Sequence, residues 1–186
     1  MISLLCLVPF AFAEDNWGIG LRGGAAQNNP DYEEFVSKNY GVFGAEGFWE
    51  HRTNFNLGEG EEFLGIKLGA DFYGKNKLDD GTVKATENSH AFPLTVYYKN
   101  DLGVEDFSSF IGAGITSIKS KAKGSIEGSK SKVFPHLMVG AEYRLNWLVA
   151  LGLEIKYNIN AKVKKDGYVI SDRSGISGAV TARFYF

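Results

Sequence analysis

Cysteine is nearly absent from this 186-residue chain: Cys6 stands alone, so neither a disulfide framework nor a multi-cysteine metal site is available. Proline occurs only four times. Neither sign of charge dominates, because 20 basic and 22 acidic residues leave a formal charge of −2, and no global field points to nucleic acid. Long apolar runs are missing too. Beyond residue 13 no stretch reaches the 18 or so apolar residues of a membrane-spanning helix, and none keeps apolar residues at helical spacing for long. What is abundant is glycine, with 23 residues, beside 14 Phe, 9 Tyr and 3 Trp. Glycine-rich chains that stay disordered are poor in aromatics, so this pairing excludes disorder, and collagen with it. With 44% hydrophobic residues and a mean hydropathy of −0.15, the chain has the means to bury a core, and its length suits one domain.

Residues 2–13 form the one continuous apolar run, interrupted by Pro9 and ending in Ala11-Phe12-Ala13. It is too short to cross a bilayer as a helix, and it matches the apolar region and small-residue cleavage site of a secretory signal peptide. Residues 1–13 are therefore expected to be removed after Ala13, taking Cys6 with them and leaving 14–186 without cysteine, as suits export without disulfides. The basic residues that open such leaders are missing, which points to a translation start a few codons upstream. A buried N-terminal strand is the alternative. Lipid anchoring at Cys6 is disfavoured by Leu5, where a small residue is wanted.

Elsewhere the recurring signal is alternation with period two, the mark of strands whose faces differ. In 17–25, Trp17, Ile19 and Leu21 alternate with Gly18, Gly20 and Arg22. In 64–73, Leu64, Ile66, Leu68 and Phe72 alternate with Gly65, Lys67, Gly69 and Asp71. The same pattern runs through 92–99, 110–116, 135–144, 149–157 and 176–186, and a less regular strand at 40–51 sets Phe43, Ala45, Gly47 and Trp49 against Glu46. Eight strands of about ten residues are long enough to cross a bilayer when tilted. Segments 27–39, 74–90, 119–132 and 158–174 read as long polar loops, whereas 145–147 is a tight turn, 100–107 is short and 52–62 is intermediate. Long and short connections thus alternate along an up-and-down meander of even strand number, as in an outer-membrane barrel.

Alternation alone does not say which face is wet. A soluble barrel of lipocalin kind turns its apolar face inward around a ligand, whereas a membrane barrel turns it toward lipid. The polar face favours the second. It is crowded with glycine, as a narrow eight-stranded lumen requires, and its charges balance: Arg22, Lys67, Arg144, Lys156 and Arg183 against Glu46, Asp71, Glu142 and Glu154. These nine are expected to form an interior ion-pair network. Aromatics at strand ends, namely Trp17, Phe72, Tyr73, Tyr98, Tyr143, Trp147, Tyr157 and Phe184, are expected to build the interfacial girdles.

The stretches Phe110-Ile111-Gly112-Ala113-Gly114-Ile115, Val139-Gly140-Ala141-Glu142-Tyr143-Arg144-Leu145 and Ala150-Leu151-Gly152-Leu153-Glu154-Ile155-Lys156-Tyr157, with the terminal Ala182-Arg183-Phe184-Tyr185-Phe186, resemble the small outer-membrane β-barrel superfamily of OmpA/OmpX or opacity-porin type. The resemblance covers essentially all of 14–186 and is firmest from residue 108 onward. It implies an all-β fold, an eight-stranded antiparallel up-and-down transmembrane β-barrel with four longer extracellular loops, in the outer membrane of a Gram-negative-type bacterium. It also implies contact with outer-membrane lipid and lipopolysaccharide. Phe184 and Phe186 resemble the C-terminal signal read by the barrel-assembly machinery.

No catalytic constellation emerges. His51, His90 and His136 are far apart in sequence and lack His-Glu-x-x-His spacing, so no metal or cofactor is expected. His136 falls on the interior face without an adjacent serine, and Glu142 and Glu154 each have a cation two positions along, so ion pairing accounts for them better than acid–base chemistry does. The segment 119–132 carries Lys119, Lys121, Lys123, Lys130 and Lys132 against Glu127 alone. As an extracellular loop it is either merely solvated or a binder of anionic groups, lipopolysaccharide phosphates or host polyanions. Residues 162–170 are expected to extend the flanking strands as a protruding hairpin around Asp166-Gly167. The leading functional expectation is a non-enzymatic structural or surface-interaction barrel whose interior is closed by charged side chains. A narrow pore and a soluble ligand-binding barrel are the alternatives.

Overall fold

The computed structural model describes residues 15–28, 39–57, 60–79, 84–125, 127–165 and 168–186; the expected leader 1–13 lies outside them. Among the described residues there is no helix, and eleven strands follow one another: β1 (Asp15–Asn28), β2 (Asn39–Thr53), β3 (Glu62–Tyr73), β4 (Asn76–Asp79), β5 (Lys84–Asn100), β6 (Phe107–Gly124), β7 (Gly128–Arg144), β8 (Val149–Asn158), β9 (Lys162–Lys165), β10 (Tyr168–Asp172) and β11 (Gly175–Tyr185). Eight of them, β1, β2, β3, β5, β6, β7, β8 and β11, pair antiparallel in chain order. The circle is closed by β1 against β11, where Gly20 faces Arg183 and Gly24 faces Ala179. β4 continues the line of β3 along β5 with a one-residue shift in register, and β9 and β10 form a separate two-stranded sheet.

The alternation of the sequence becomes an inside and an outside. Ile19, Leu21, Ile66, Leu153 and Ile155 point out of the barrel, with Leu68 60% and Leu153 63% exposed. A soluble barrel of lipocalin kind would bury this face, so the wall has the polarity of one immersed in lipid. Inside, the narrow lumen leaves no room for a side chain on every strand. A Cβ on Gly65 would come within 2.4 Å of the Tyr97 ring, and one on Gly140 within 2.3 Å of the ring of Phe110. This crowding accounts for glycine and aromatics being abundant together.

The connections from β2 to β3, from β5 to β6 (101–106) and from β7 to β8 (145–148) mark the periplasmic end, in keeping with the usual asymmetry of such barrels. There Gly60 adopts φ +92°, and Asp101 accepts hydrogen bonds from the amides of Glu61 (2.8 Å) and Gly103 (3.1 Å). At the other end the expected loops are partly replaced by strand. β5 begins at Lys84, β6 runs to Gly124 and β7 starts at Gly128, so 84–90 and most of 119–132 belong to a tall sheet that stands above its neighbours.

Candidate functional site

Ten charged side chains meet in the lumen, all buried: the carboxylates of Glu46, Glu50, Asp71, Glu142 and Glu154, and the cations Arg22, Lys67, Lys99, Lys156 and Arg183. Seven of the barrel strands supply them, and inward parity on each strand brings them together. Starting at the periplasmic end, Lys99 Nζ donates to Glu50 Oε2 (2.5 Å), Glu142 Oε1 (3.0 Å) and the Tyr185 hydroxyl (3.2 Å). Arg183 then links Glu142 (2.8 Å) to Glu46 (3.0 Å). Arg22 reaches Glu46 (3.3 Å), Asp71 (2.7 Å from Nε) and Glu154 (3.4 Å). Lys67 bridges Glu46 (3.3 Å) and Glu154, and Lys156 donates to Asp71 (3.1 Å). The result is one unbroken chain of ion pairs. An unpaired charge in such a place costs several kcal/mol, so mutual pairing is the condition for burying ten of them.

Aromatic rings fill the space around the charges. The Arg183 guanidinium lies 4.9 Å from the Phe110 ring centre and 5.4 Å from that of Phe48, and Lys99 lies 5.2 Å from Phe63 and from Tyr185. The Tyr97 hydroxyl donates to Glu50 (2.8 Å) and that of Tyr185 to Glu142 (2.6 Å), occupying carboxylate lone pairs left by the cations. His136 sits among neutral partners, with its two ring nitrogens 2.9 Å from the hydroxyls of Thr95 and Thr116. A cavity of about 20 Å³, room for roughly one water molecule, lies beside Arg22, Asp71 and Glu154.

The extracellular mouth is built differently. The β9–β10 hairpin does not extend the flanking strands outward; it folds over the mouth, and Val163 and Ile170 pack with Ile118, Ala122 and Phe134. Arg173, just after β10, is fully buried, donates to Glu87 Oε2 (2.6 Å), and stacks between Tyr40 (4.0 Å) and Tyr73 (4.8 Å). Ser89 donates to the same Glu87 carboxylate and lies 2.7 Å from Ser120. Burial pushes the Glu87 carboxyl above its ordinary value against the opposing pull of Arg173, and it pushes the Tyr40 hydroxyl up to about 12. Tyr73, expected in an interfacial girdle, is instead buried in this mouth, because it shares parity with Lys67 and Asp71 and so points inward.

Of the nine residues expected in the interior network, eight lie in the ion-pair chain. Arg144 stands apart: as the last residue of β7 it reaches past the network to the periplasmic rim, stacks 4.5 Å from the Tyr185 ring centre, and makes no salt bridge among the described residues. The five lysines of 119–132 do not share one loop. Lys119, Lys121 and Lys123 point outward from β6. Lys130 and Lys132 have the inward parity of β7 and border a hollow of about 540 Å³ together with Lys162 and Lys164 of β9, where Lys132 Nζ donates to the Asn160 carbonyl (2.8 Å). Phe186, at the end of the closing strand, donates its amide to the Trp17 carbonyl (2.9 Å) and packs 5.1 Å from the Trp17 ring, while Phe184 is partly exposed on the outer face.

Residues 1–184 match the family model described as outer membrane protein beta-barrel domain. The chain belongs to this family of outer-membrane barrels. It is therefore an integral protein of the Gram-negative outer membrane, in contact with its lipid. Among solved structures, the attachment invasion locus protein Ail of Yersinia pestis is similar with a TM-score of 0.56 at 13% identity, covering 93% of this chain and 99% of that one. A second structure of Ail, in complex with the heparin analogue sucrose octasulfate, gives 0.54 at 10% identity with 93% and 99% covered. OprG of Pseudomonas aeruginosa gives 0.55 at 11%, covering 92% and 95%. No curated protein matches the chain in sequence.

Four charged residues of the ion pairs inside this outer-membrane barrel were not among those expected, for two different reasons. Glu50 and Lys99 lie within the strands expected at 40–51 and 92–99 and share parity with Glu46 and Tyr97, so the alternation already turned them inward although the expected network left them out. Glu87 and Arg173 lie in segments read as loops, and only their position in the folded mouth joins them.

Proposed function

We propose that this outer-membrane barrel is a non-enzymatic structural and surface-interaction protein whose lumen is closed, so that its work is done by assembly, stability and the extracellular rim. The observation that carries this reading is the continuous ion-pair chain from Glu50 to Lys156, overlaid at the mouth by the buried Arg173–Glu87 pair. An open pore would need those charges to part. In planar bilayers the folded protein should show no persistent conductance; a persistent open level would return the narrow-pore reading.

At the rim, the hollow lined by Lys130, Lys132, Lys162 and Lys164 is the proposed site for soluble anionic ligands, since four lysines line one concavity. The Ail structure with a heparin analogue is a parallel within the same fold. Replacing these four lysines with glutamine should abolish salt-sensitive retention on a sulfated glycan column, and unchanged retention would dispose of the site. Residues 1–13 are proposed as the cleaved export signal, and the last strand with Phe184 and Phe186 as the contact read by the barrel-assembly machinery. Deleting Phe186 should slow assembly in cells, read as loss of the heat-modifiable folded band on gels.

A further inference from the structure

The outer surface of the tall sheet carries a second basic feature, distinct from the hollow. Along β6 the outward residues are Ile111, Ala113, Ile115, Ser117, Lys119, Lys121 and Lys123. Register extends each level sideways. Ser117 stands between Phe92 and Val133, Lys119 between His90 and Ser131, Lys121 between Asn88 and Ser129, and Lys123 next to Thr86, whose other neighbour is Lys77 of β4. On β5, β6 and β7 the outward aromatic and aliphatic residues thus end at one level, and above it come three levels of lysine flanked by hydroxyl, amide and imidazole groups, with Phe72 of β3 beside His90 at the lowest of them. No carboxylate stands among these outward residues; Asp79, paired with Lys84 one step beyond Lys77, and Glu127 at the hairpin tip lie beyond them.

The height of this patch identifies its partner. From Phe107 to Ser117, β6 rises roughly 25 Å at the usual tilt, the height of the apolar band of such barrels, so Ser117 marks the upper edge of the hydrocarbon. Each further pair of residues rises about 5 Å. Lys119 and Lys121 therefore fall in the headgroup layer, where a lysine stem lies along the apolar edge and its ammonium meets phosphate. Among the described residues the opposite wall lacks this feature: above its belt β1 and β2 turn Ala25, Gln27, Gly41 and Asn39 outward. We propose that the outer face of β4 to β7, through Lys119, Lys121, Lys123 and Lys77 with His90 and Asn88, docks the phosphate groups of the outer-leaflet glycolipid and so gives the barrel a preferred lipopolysaccharide-facing side. This rests on the outer-membrane placement and is independent of the hollow and its soluble ligand.

The test uses the folded full chain in phosphatidylcholine vesicles doped with bisphosphorylated lipid A or with its dephosphorylated form, and reads lipid enrichment around the protein by mass spectrometry of the lipid that co-purifies with it after mild detergent extraction. The wild type should enrich the phosphorylated form, and the K119Q/K121Q/K123Q variant should lose roughly tenfold of that enrichment. The K119R/K121R/K123R variant should keep it, which controls for folding. Glutamine at the four lysines of the hollow should leave it unchanged. The proposal fails if the wild type does not distinguish the two lipids, if the β6 glutamine variant retains the preference, or if that variant loses only binding to a soluble sulfated glycan. Failure of the hollow variant to lose sulfated-glycan binding would count against the hollow alone.

Discussion

The lower lumen and the extracellular mouth are built from the same strands with opposite polarity. Within the belt β6 turns Ile111, Ala113 and Ile115 out to lipid and Gly112, Gly114 and Thr116 into a polar lumen. Above it the same strand turns Lys119, Lys121 and Lys123 outward and Ile118, Ser120 and Ala122 inward, where Ile118 and Ala122 join an apolar cluster capped by Val163 and Ile170 and Ser120 meets Ser89 beside the Glu87–Arg173 pair. What changes is the solvent outside. Facing lipid, the wall must carry its polar groups inward and pair them; facing water, it reverts to the ordinary arrangement of apolar inside and polar outside. The level at which the alternation changes phase is thus a border of the membrane written into one strand.

The largest expected effect lies in the lower lumen. Arg183→Met leaves Glu46 and Glu142 each short of a cation, and should cost about 3–5 kcal/mol, read from urea unfolding in vesicles. A smaller loss means that the remaining cations can close the gap. Next comes the polarity border: Ile111→Lys, near mid-belt, should cost about 2–4 kcal/mol, whereas Lys121→Ile should move stability by no more than about 0.5 kcal/mol. Equal effects would erase the distinction between the two halves of β6.

In the mouth, Arg173→Met removes the charged hydrogen bond to Glu87 and a cation stacked on two tyrosines, and should weaken hairpin docking by about 2 kcal/mol. Because the hairpin can open by itself, amide exchange of 161–174 should accelerate more than global unfolding, and intermittent conductance should appear. A matching global loss would make mouth and lower lumen one cooperative unit. The smallest effect concerns pH. Glu87 faces Arg173, Ser89 and Ser120, and its carboxyl in the folded mouth lies above the ordinary value of 4.5. The docked hairpin therefore binds the proton more tightly than the open one, so this contribution is full below the ordinary value and is lost as pH rises through the folded one. Exchange protection of β9 and β10 should fall slightly over that window, and Glu87→Gln should flatten the dependence.

The phase change also explains what could be read in the chain and what could not. Period two placed Arg22, Glu46, Lys67, Asp71, Glu142, Glu154, Lys156 and Arg183 on one face, because parity is a local property that folding does not alter. It stopped short at Thr116, since above that residue the polar positions swap sides and the pattern reads as a polar loop. The same swap hid Glu87 and the strand character of 84–90. Tyr73 looked like a girdle residue by its place at a strand end, although its parity sends it inward.

By itself the sequence determined the strands, their two faces, the eightfold up-and-down order and the membrane as the solvent of one face, because each depends on spacing along the chain. Tertiary structure decided the rest. Closing β1 on β11 set which carboxylate meets which cation across the lumen and carried Arg144 past the network, and the inward packing of β9 and β10 let Arg173 meet Glu87. These are contacts between residues up to 137 positions apart, chosen by barrel register and by the cost of leaving a buried charge alone, and no local pattern encodes them.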